Sequence, residues 1–185
     1  MALTILILGV ALWWAGHLWK RVAPAHRAQM GQKGRSVASV VLLASVLLMI
    51  WGYRGAEAGA PLWILGEWAR HLNNLLVLIA FYVFGIGMAK GALSQRVRHP
   101  MLMGFALWAL AHLLVRSDAA AILLFGGLGV WAVVAMMVIN RAEAGWTPPV
   151  PKGGARRDLA AGGVVLVTYG IVGWVHGVIG PVPFG

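Results

Sequence analysis

The sequence contains no cysteine. This absence excludes disulfide bonds, thiolate metal sites, iron–sulfur clusters and cysteine nucleophiles. Acidic residues are scarce as well, with five Asp and Glu among 185 residues, and charged residues of both signs make up 11% of the chain. Soluble domains carry about a quarter of their residues as charged side chains, so this composition excludes an ordinary soluble globular domain.

The chain is rich in long runs of apolar residues. Hydrophobic residues make up 61% of the chain, and its mean hydropathy is +0.82. Several runs approach or exceed the ~18 residues that indicate a membrane-spanning helix. The six predicted spans are Ala2–Trp19, Ser36–Tyr53, Arg70–Ala89, Pro100–Val115, Ala119–Ile139 and Leu159–Ile179. The sequence therefore predicts an all-α integral membrane protein, a bundle of about six transmembrane helices.

The first of these spans is not expected to be a cleaved signal peptide. A signal peptide carries its positive charge before the apolar run and ends in a small-residue cleavage site. Here the charges, Lys20 and Arg21, follow the run instead. We therefore expect a retained first helix.

Basic residues give the chain a net charge of +10, and their positions are more informative than their sum. Short loops between membrane helices collect Lys and Arg on the cytoplasmic side. The loops after the first, third and fifth spans hold twelve Lys and Arg, whereas those after the second and fourth hold three. Both termini are therefore expected to be non-cytoplasmic, and nucleic acid is not an expected partner.

The chain divides into three segments by composition. Residues 1–140 form a membrane domain of five predicted helices. Residues 141–158 contain the stretch WTPPVPKGGARR, whose prolines Pro148, Pro149 and Pro151 cannot continue a helix. This segment is predicted to be a Pro/Gly-rich cytoplasmic linker. Residues 159–185 are predicted to form a C-terminal transmembrane helix and a short tail.

Histidines inside or beside the spans are the candidate functional residues. Ionisable groups in a bilayer are costly, and they often mark a functional site. Four histidines are placed in this way: His17, His71, His99 and His112. With no cysteine and few carboxylates, they suit a nitrogen-ligated macrocycle such as haem better than a bare metal ion. The alternative is that each is a packed polar residue bonded to a backbone carbonyl.

Two of these histidines share a helix face with small or aromatic residues, as their spacing in the sequence shows. On the fourth span, Gly104, Trp108 and His112 are spaced i, i+4, i+8 and share one face. On the first span, Trp13 and His17 repeat the i, i+4 pairing. A small residue, a flat aromatic ring and an imidazole form a suitable wall for a flat cofactor.

Several blocks together resemble the NnrU family of bacterial membrane proteins. They are WWAGHLW, WGYRGA, ARHLNNLLVLIAF, RHPMLMGFALWALAHLL and SDAAAILLFGG, in collinear order from about His17 to Asn140. The resemblance implies a multi-pass protein of the bacterial inner (cytoplasmic) membrane. NnrU-like proteins are similar to plant zeta-carotene isomerase, a membrane enzyme that isomerises a cis double bond and needs haem b.

That similarity implies a haem held by His17 and His112, with His71 and His99 also at family positions. This sequence departs from the plant enzyme at two places. Ala109 and Leu110 lie where the plant enzyme has a nearby cysteine, and Trp131 lies roughly where it has a further histidine. These departures argue against isomerase activity more than they argue against haem binding.

A depth count along the spans leaves other ligand pairs open. His17 lies ~5 Å from the cytoplasmic boundary and His112 lies ~18 Å from it, at ~1.5 Å per residue. His71 and His112 are expected at a similar depth in the membrane, and so are His99 and His17. Two such pairs could hold two haems. The resemblance favours His17 with His112, and this pair is ranked first. Arg98 and His99, at the membrane surface, are candidates to pair with a haem propionate.

Three functions remain open at this point, and whether the protein is an enzyme is not decided. The first is a haem-b membrane protein, either carotenoid-isomerase-like or a redox protein linked to nitric oxide and denitrification, whose ligand is a polyene or a small gas. The second is a methyltransferase using S-adenosylmethionine, because RHPMLMG resembles an element of membrane methyltransferases. The third is a non-enzymatic subunit of a larger membrane complex or a homo-oligomer. Membrane lipid is an expected partner in each case.

Overall fold

The computed structural model describes residues 1–57 and 59–184, and its long elements are helices. They are α1 (Ala2–Val22), α2 (Pro24–Gln29), α3 (Gly31–Gly55), α4 (Trp68–Ala89), α5 (Pro100–Val115), α6 (Ala119–Ala121), α7 (Gly127–Ala142) and α8 (Gly154–Ile179). A 3₁₀ turn, Ala92–Gln95, lies between α4 and α5. A π-helical segment, Ile122–Gly126, joins α6 to α7.

Within residues 1–57 and 59–184, five helices are long and apolar enough to cross a membrane. They are α1, α3, α4, the continuous helix Ala119–Ala142 and α8. The predicted all-helical membrane protein is confirmed to this extent. The helix α5 has 16 residues, or ~24 Å at 1.5 Å per residue, against a hydrocarbon thickness of ~30 Å. A sixth crossing by α5 therefore stays a prediction, as does the side on which the termini lie.

The helices extend beyond the predicted apolar spans. The helix α8 begins at Gly154 rather than Leu159, and α3 begins at Gly31 rather than Ser36. Hydropathy locates the part of a helix that suits lipid, whereas helix ends depend on caps and on the chain that follows. The first turns of α8 therefore include charged residues that the sequence assigned to the linker.

The buried residues are small, and many large apolar residues are exposed. Eight of the 15 buried hydrophobic residues are alanines, and Ala111, Ala121 and Ala132 are 0% exposed. Exposed residues include many Leu, Ile, Val and Trp side chains on the long helices. Helices in membranes pack through small residues because lipid competes for the large ones. This distribution agrees with a protein whose outer surface faces lipid.

The chain forms two compact units, which are described separately. The first consists of Met1–Trp63 with Arg116–Ala142. In it α1 packs on α3 at glycines: a Cβ on Gly52 would lie 2.5 Å from the backbone nitrogen of Leu6. The indole N–H of Trp14 donates to the carbonyl of Gly127 at 3.0 Å, which fixes the start of α7 against α1.

The N-terminus of α6 in this unit is capped by Asp118. The carboxylate of Asp118 accepts from the backbone N–H of Ala121 at 3.1 Å. The guanidinium of Arg116 pairs with the same carboxylate at 3.1 Å. Because the first N–H groups of a helix have no partner within it, this cap stabilises the start of the segment that carries the π-helix.

The second unit consists of Ile64–Val115 with the chain from Glu143 onward. The helices α4 and α5 pack antiparallel, since Gly104 faces Ala80 and Phe84 while Gly87 faces Met101. The helix α8 packs on α4, where the hydroxyl of Tyr169 donates to the carbonyl of Asn74 at 3.0 Å.

Asp158, in the first turns of α8, ties that helix to the turn after α4. Its carboxylate accepts from the backbone N–H of Leu93 at 3.1 Å. Its side chain is buried and lies against Gly91. The sequence placed Asp158 in the linker, so this tie was not foreseen.

Candidate functional site

His17 is held in α1 by a hydrogen bond within its own helix. Its Nδ1 lies 3.0 Å from the carbonyl oxygen of Trp13, one turn earlier. A carbonyl only accepts, so Nδ1 carries the proton and donates, and the lone pair of the neutral ring is on Nε2. Metal-ligating histidines commonly have their second nitrogen bonded in this way. His17 is therefore set in the tautomer that an Nε2 ligand needs.

Two tryptophans surround the His17 imidazole. The ring of Trp13 lies 4.2 Å from it and the ring of Trp131, from α7, lies 4.6 Å from it, measured between centroids. The two indoles meet edge to face at 5.3 Å. Trp131 is 5% exposed. The cluster of His17, Trp13 and Trp131 is thus an aromatic enclosure that fixes the plane of the imidazole.

Sequence reasoning did not identify Trp131 as a neighbour of His17. It noted Trp131 only as a departure from the plant enzyme. No spacing rule connects α1 with α7, because the two lie far apart along the chain. The structure has a π-helical segment directly before α7, and such segments are frequent at functional sites. The sequence alone does not show this segment, so it could not have identified Trp131.

His112 repeats the arrangement of His17 in the second unit. Its Nδ1 lies 2.9 Å from the carbonyl oxygen of Trp108, again one turn earlier. The same argument places its proton on Nδ1 and its lone pair on Nε2. The ring of Trp108 lies 4.9 Å from the imidazole and 5.2 Å from the ring of Phe105. The spacing W-x-x-x-H therefore produces the same local geometry twice.

Gly104 has a packing role in the structure. A Cβ on this residue would lie 2.6 Å from the carbonyl oxygen of Ala80 and 2.7 Å from the backbone nitrogen of Phe84. Gly104 thus brings α5 close to α4. Its predicted role as the wall of a cofactor site stays a prediction.

The antiparallel register of α4 and α5 shows which residues lie level with His112. Eight residues beyond Gly104 on α5 correspond to about eight residues before Ala80–Phe84 on α4, near Asn73. Asn73 is buried, and its Oδ1 has no hydrogen-bond partner within residues 1–57 and 59–184. His71 lies in the first turn of α4, at the same end, and is exposed. It therefore remains a candidate partner for His112.

Arg98 and His99 lie at the opposite end of α5, beside a cavity within the second unit. The cavity has a volume of 460 Å³, and we call it the Lys90 cavity. Its lining includes Lys90, Ser94, Arg98, His99, Met101 and Trp146. Arg98 donates to the carbonyl of Glu143, and Ser94 donates to the carbonyl of Gly91. Sequence reasoning named Arg98 and His99 here but missed Lys90, Ser94 and Trp146, which come from the end of α4, the 3₁₀ turn and the linker.

The remaining histidines have local partners. The indole of Trp19 donates to Nδ1 of His26 at 3.3 Å, and Nδ1 of His176 lies 2.7 Å from the carbonyl of Pro181. Within the described part of the chain, no three His, Asp or Glu side chains are grouped so that they could hold a metal ion. The candidate ligands are therefore single histidines or pairs of them, not a cluster of three.

Comparison with known proteins places the chain in a family. A family model described as NnrU protein matches residues 5–183. The match continues well beyond Asn140, where the motifs that carry the resemblance end, and it includes α8. No curated protein and no solved structure matches the chain. The chain is therefore a helical, multi-pass membrane protein by length and hydropathy, and it belongs to the NnrU family.

Proposed function

We propose that this protein is a haem-b-binding membrane protein in which Nε2 of His17 and Nε2 of His112 would hold the haem. The observation that carries this proposal is the repeated W-x-x-x-H geometry. In both copies Nδ1 donates to the carbonyl of the preceding tryptophan, at 3.0 Å for His17 and 2.9 Å for His112. Nε2 is then the nitrogen with the lone pair in both rings.

The residues present fit this group by their chemistry. The two imidazoles lie on apolar helices beside indole rings, and such surroundings suit a flat, largely apolar macrocycle. The bond to the carbonyl four residues earlier is local to each helix; it sets the tautomer that presents Nε2 and does not by itself require a ligand. Bound haem supplies redox chemistry at its iron. The protein's contribution is to hold Nε2 of each histidine, to orient the ring through the carbonyl and to exclude water with Trp13, Trp108 and Trp131.

This proposal extends to an isomerase-like or redox function linked to nitric oxide and denitrification. The support for it is family membership together with the two histidines. Bound haem would supply the iron chemistry that acts on a polyene or a small gaseous ligand. A role as a subunit of a larger complex uses the same ligands.

The Lys90 cavity weighs against the methyltransferase alternative. That function would place S-adenosylmethionine, whose sulfonium is positively charged, near the RHPMLMG segment. The cavity at this segment is lined by Lys90 and Arg98, and none of its lining residues has a carboxylate. These cations suit the methionyl carboxylate of S-adenosylmethionine, but none of the lining residues offers a negative charge for its sulfonium and ammonium groups.

The experiment is a reduced-minus-oxidised optical spectrum of the protein purified in mild detergent, with a pyridine haemochrome assay for stoichiometry. Alanine variants at His17, His71, His99 and His112 are compared with the matched control His26→Ala, whose imidazole accepts from the indole of Trp19. We expect loss of the b-type signal in His17→Ala and His112→Ala alone, with partial recovery on addition of imidazole. One haem per chain would indicate a shared haem, and two would indicate separate ones. A colourless wild type, or full haem content in both variants, would refute the proposal.

We also propose six membrane crossings in a bacterial inner membrane, with both termini non-cytoplasmic. The support is the twelve-to-three distribution of Lys and Arg between alternate loops. Because the chain has no cysteine, single cysteines at Gly59 and Gly145 can be labelled cleanly with an impermeant maleimide. If α5 crosses the membrane, the Gly59 position is labelled from outside the cell and the Gly145 position from the cytoplasm. Labelling of both from the same side would show that α5 does not cross.

A further inference from the structure

We propose that the Lys90 cavity binds the phosphate group of an anionic amphiphile, with a phospholipid head group as the favoured source. The proposal concerns a different part of the second unit from His112. Between His99 and His112, α5 rises ~20 Å at ~1.5 Å per residue. A ligand in this cavity therefore needs a recognition chemistry of its own, independent of haem.

The first argument is charge. Lys90 and Arg98 both line the cavity, His99 lies beside them, and no lining residue has a carboxylate. Within residues 1–57 and 59–184, neither Lys90 nor Arg98 forms an ion pair. A guanidinium has five N–H groups, and Arg98 uses one on the carbonyl of Glu143. Two cations without carboxylate partners in one cavity favour an anion, and the guanidinium fork suits phosphate oxygens.

The second argument is the backbone of Lys90. It ends α4 in the left-handed region at φ 53°, and it is the one residue other than glycine with positive φ in the described part of the chain. Such a conformation costs free energy for a residue with a Cβ, and it is concentrated at functional sites. The carbonyl of Lys90 accepts from the backbone N–H of Lys152 at 2.9 Å, so the linker holds this conformation. A glycine would adopt this left-handed conformation without strain, but it would not supply the ammonium group that Lys90 brings to the cavity.

The third argument is the apolar part of the lining. Pro100, Met101 and Leu102 form the first turn of α5, and Trp146 comes from the linker. Met101 is 46% exposed, and Trp146 is 37% exposed. A tryptophan beside cations at the end of apolar helices is typical of the membrane–water interface. Basic pockets between membrane helices recognise anionic lipid head groups, with the acyl chains along the apolar surface.

The experiment measures binding to the purified full-length protein by native mass spectrometry with phosphatidylglycerol and with phosphatidylcholine. A parallel calorimetric titration uses glycerol phosphate and inorganic phosphate. The variants are Lys90→Gly, which suits the left-handed backbone and so should fold, and Arg98→Gln. The matched control is Arg156→Gln, because Arg156 is an exposed cation of the same unit that does not line the cavity.

We expect phosphatidylglycerol to be retained in preference to phosphatidylcholine, with affinity reduced about 5-fold in each cavity variant and unchanged in Arg156→Gln. Equal binding of glycerol phosphate and the lipid would support the cavity and identify a soluble phosphate ester as its ligand. Equal retention of both lipids, undiminished binding in the two cavity variants, or an equal loss in Arg156→Gln would overturn the proposal.

Discussion

Replacing Gly104 by alanine tests whether this residue serves helix packing or a cofactor wall. The added Cβ would lie 2.6 Å from the carbonyl oxygen of Ala80 and 2.7 Å from the backbone nitrogen of Phe84. Both are backbone atoms of α4 and cannot swing aside as a flexible side chain can. To reach the lower limit of ordinary contact, 3.4 Å, α5 must move away from α4 by about 0.8 Å.

The cost of this displacement follows from the packing it loosens. A gap of ~0.5–1 Å forfeits about a quarter to a half of the dispersion attraction between facing atoms. Overpacking in a well-packed interior costs ~1–3 kcal/mol, while alanine gains ~1 kcal/mol over glycine in helix propensity. We therefore expect Gly104→Ala to lower the free energy of unfolding by about 0–2 kcal/mol against wild type, and by about 1–3 kcal/mol against a glycine-to-alanine change that has the propensity gain alone.

Unfolding in mixed detergent micelles, followed by tryptophan fluorescence, measures this loss. The control is Gly163→Ala on α8, where an added Cβ would meet nothing within 4 Å in the described part of the chain apart from its chain neighbours and the backbone of its own helix. Only the propensity gain is therefore expected. Haem content is measured on the same samples. Gly104→Ala with the stability of Gly163→Ala would refute the packing argument. Lost haem at unchanged stability would instead support the cofactor wall.

Three other perturbations use the same unfolding assay. Trp131→Ala should cost ~3–5 kcal/mol, because it empties a buried site between helices, and Trp131→Phe should cost less. Asp118→Asn tests how the stability of the protein depends on pH. Burial raises the pKa of the Asp118 carboxyl, but the hydrogen bond from the N–H of Ala121 and the positive charge of Arg116 lower it by more. The pKa is therefore below its ordinary value. The stability it contributes should be present above the unfolded pKa of ~3.9 and be lost as pH falls through the folded pKa. Gly91→Ala should cost ~1–3 kcal/mol, because its Cβ would displace the Asp158 carboxylate from the N–H of Leu93.

Each of these expectations has a contrary result. Equal stability of the Trp131→Ala and Trp131→Phe variants would show that the indole contacts contribute little. A stability difference between wild type and Asp118→Asn that persists unchanged to about pH 3 would contradict a lowered pKa. Wild-type stability in Gly91→Ala would show that α8 has room to move away from the turn after α4.

Much of the fold is readable from the sequence, because lipid leaves a chain few choices. An apolar run in a bilayer must satisfy its own backbone hydrogen bonds, so each long run becomes a helix. The cap by Asp118 is also local, since it depends on one side chain and the N–H three residues later. Helix ends were less predictable. The helix α8 continues to Gly154 because its first turns are held by Asp158 and by Arg157, which donates to the carbonyl of Ala89 at 3.1 Å.

The same division applies to the candidate site. The sequence alone determined the W-x-x-x-H pairs, because residues four apart on a helix share a face, and so it identified the Trp13–His17 and Trp108–His112 contacts. Only the tertiary structure brought Trp131 against His17, and only it gathered Lys90, Arg98 and Trp146 around one cavity. Trp131 lies far along the chain from His17, and Trp146 lies far from Lys90 and Arg98. Their meeting is decided by how closely the helices approach at glycine and alanine, which no local pattern encodes.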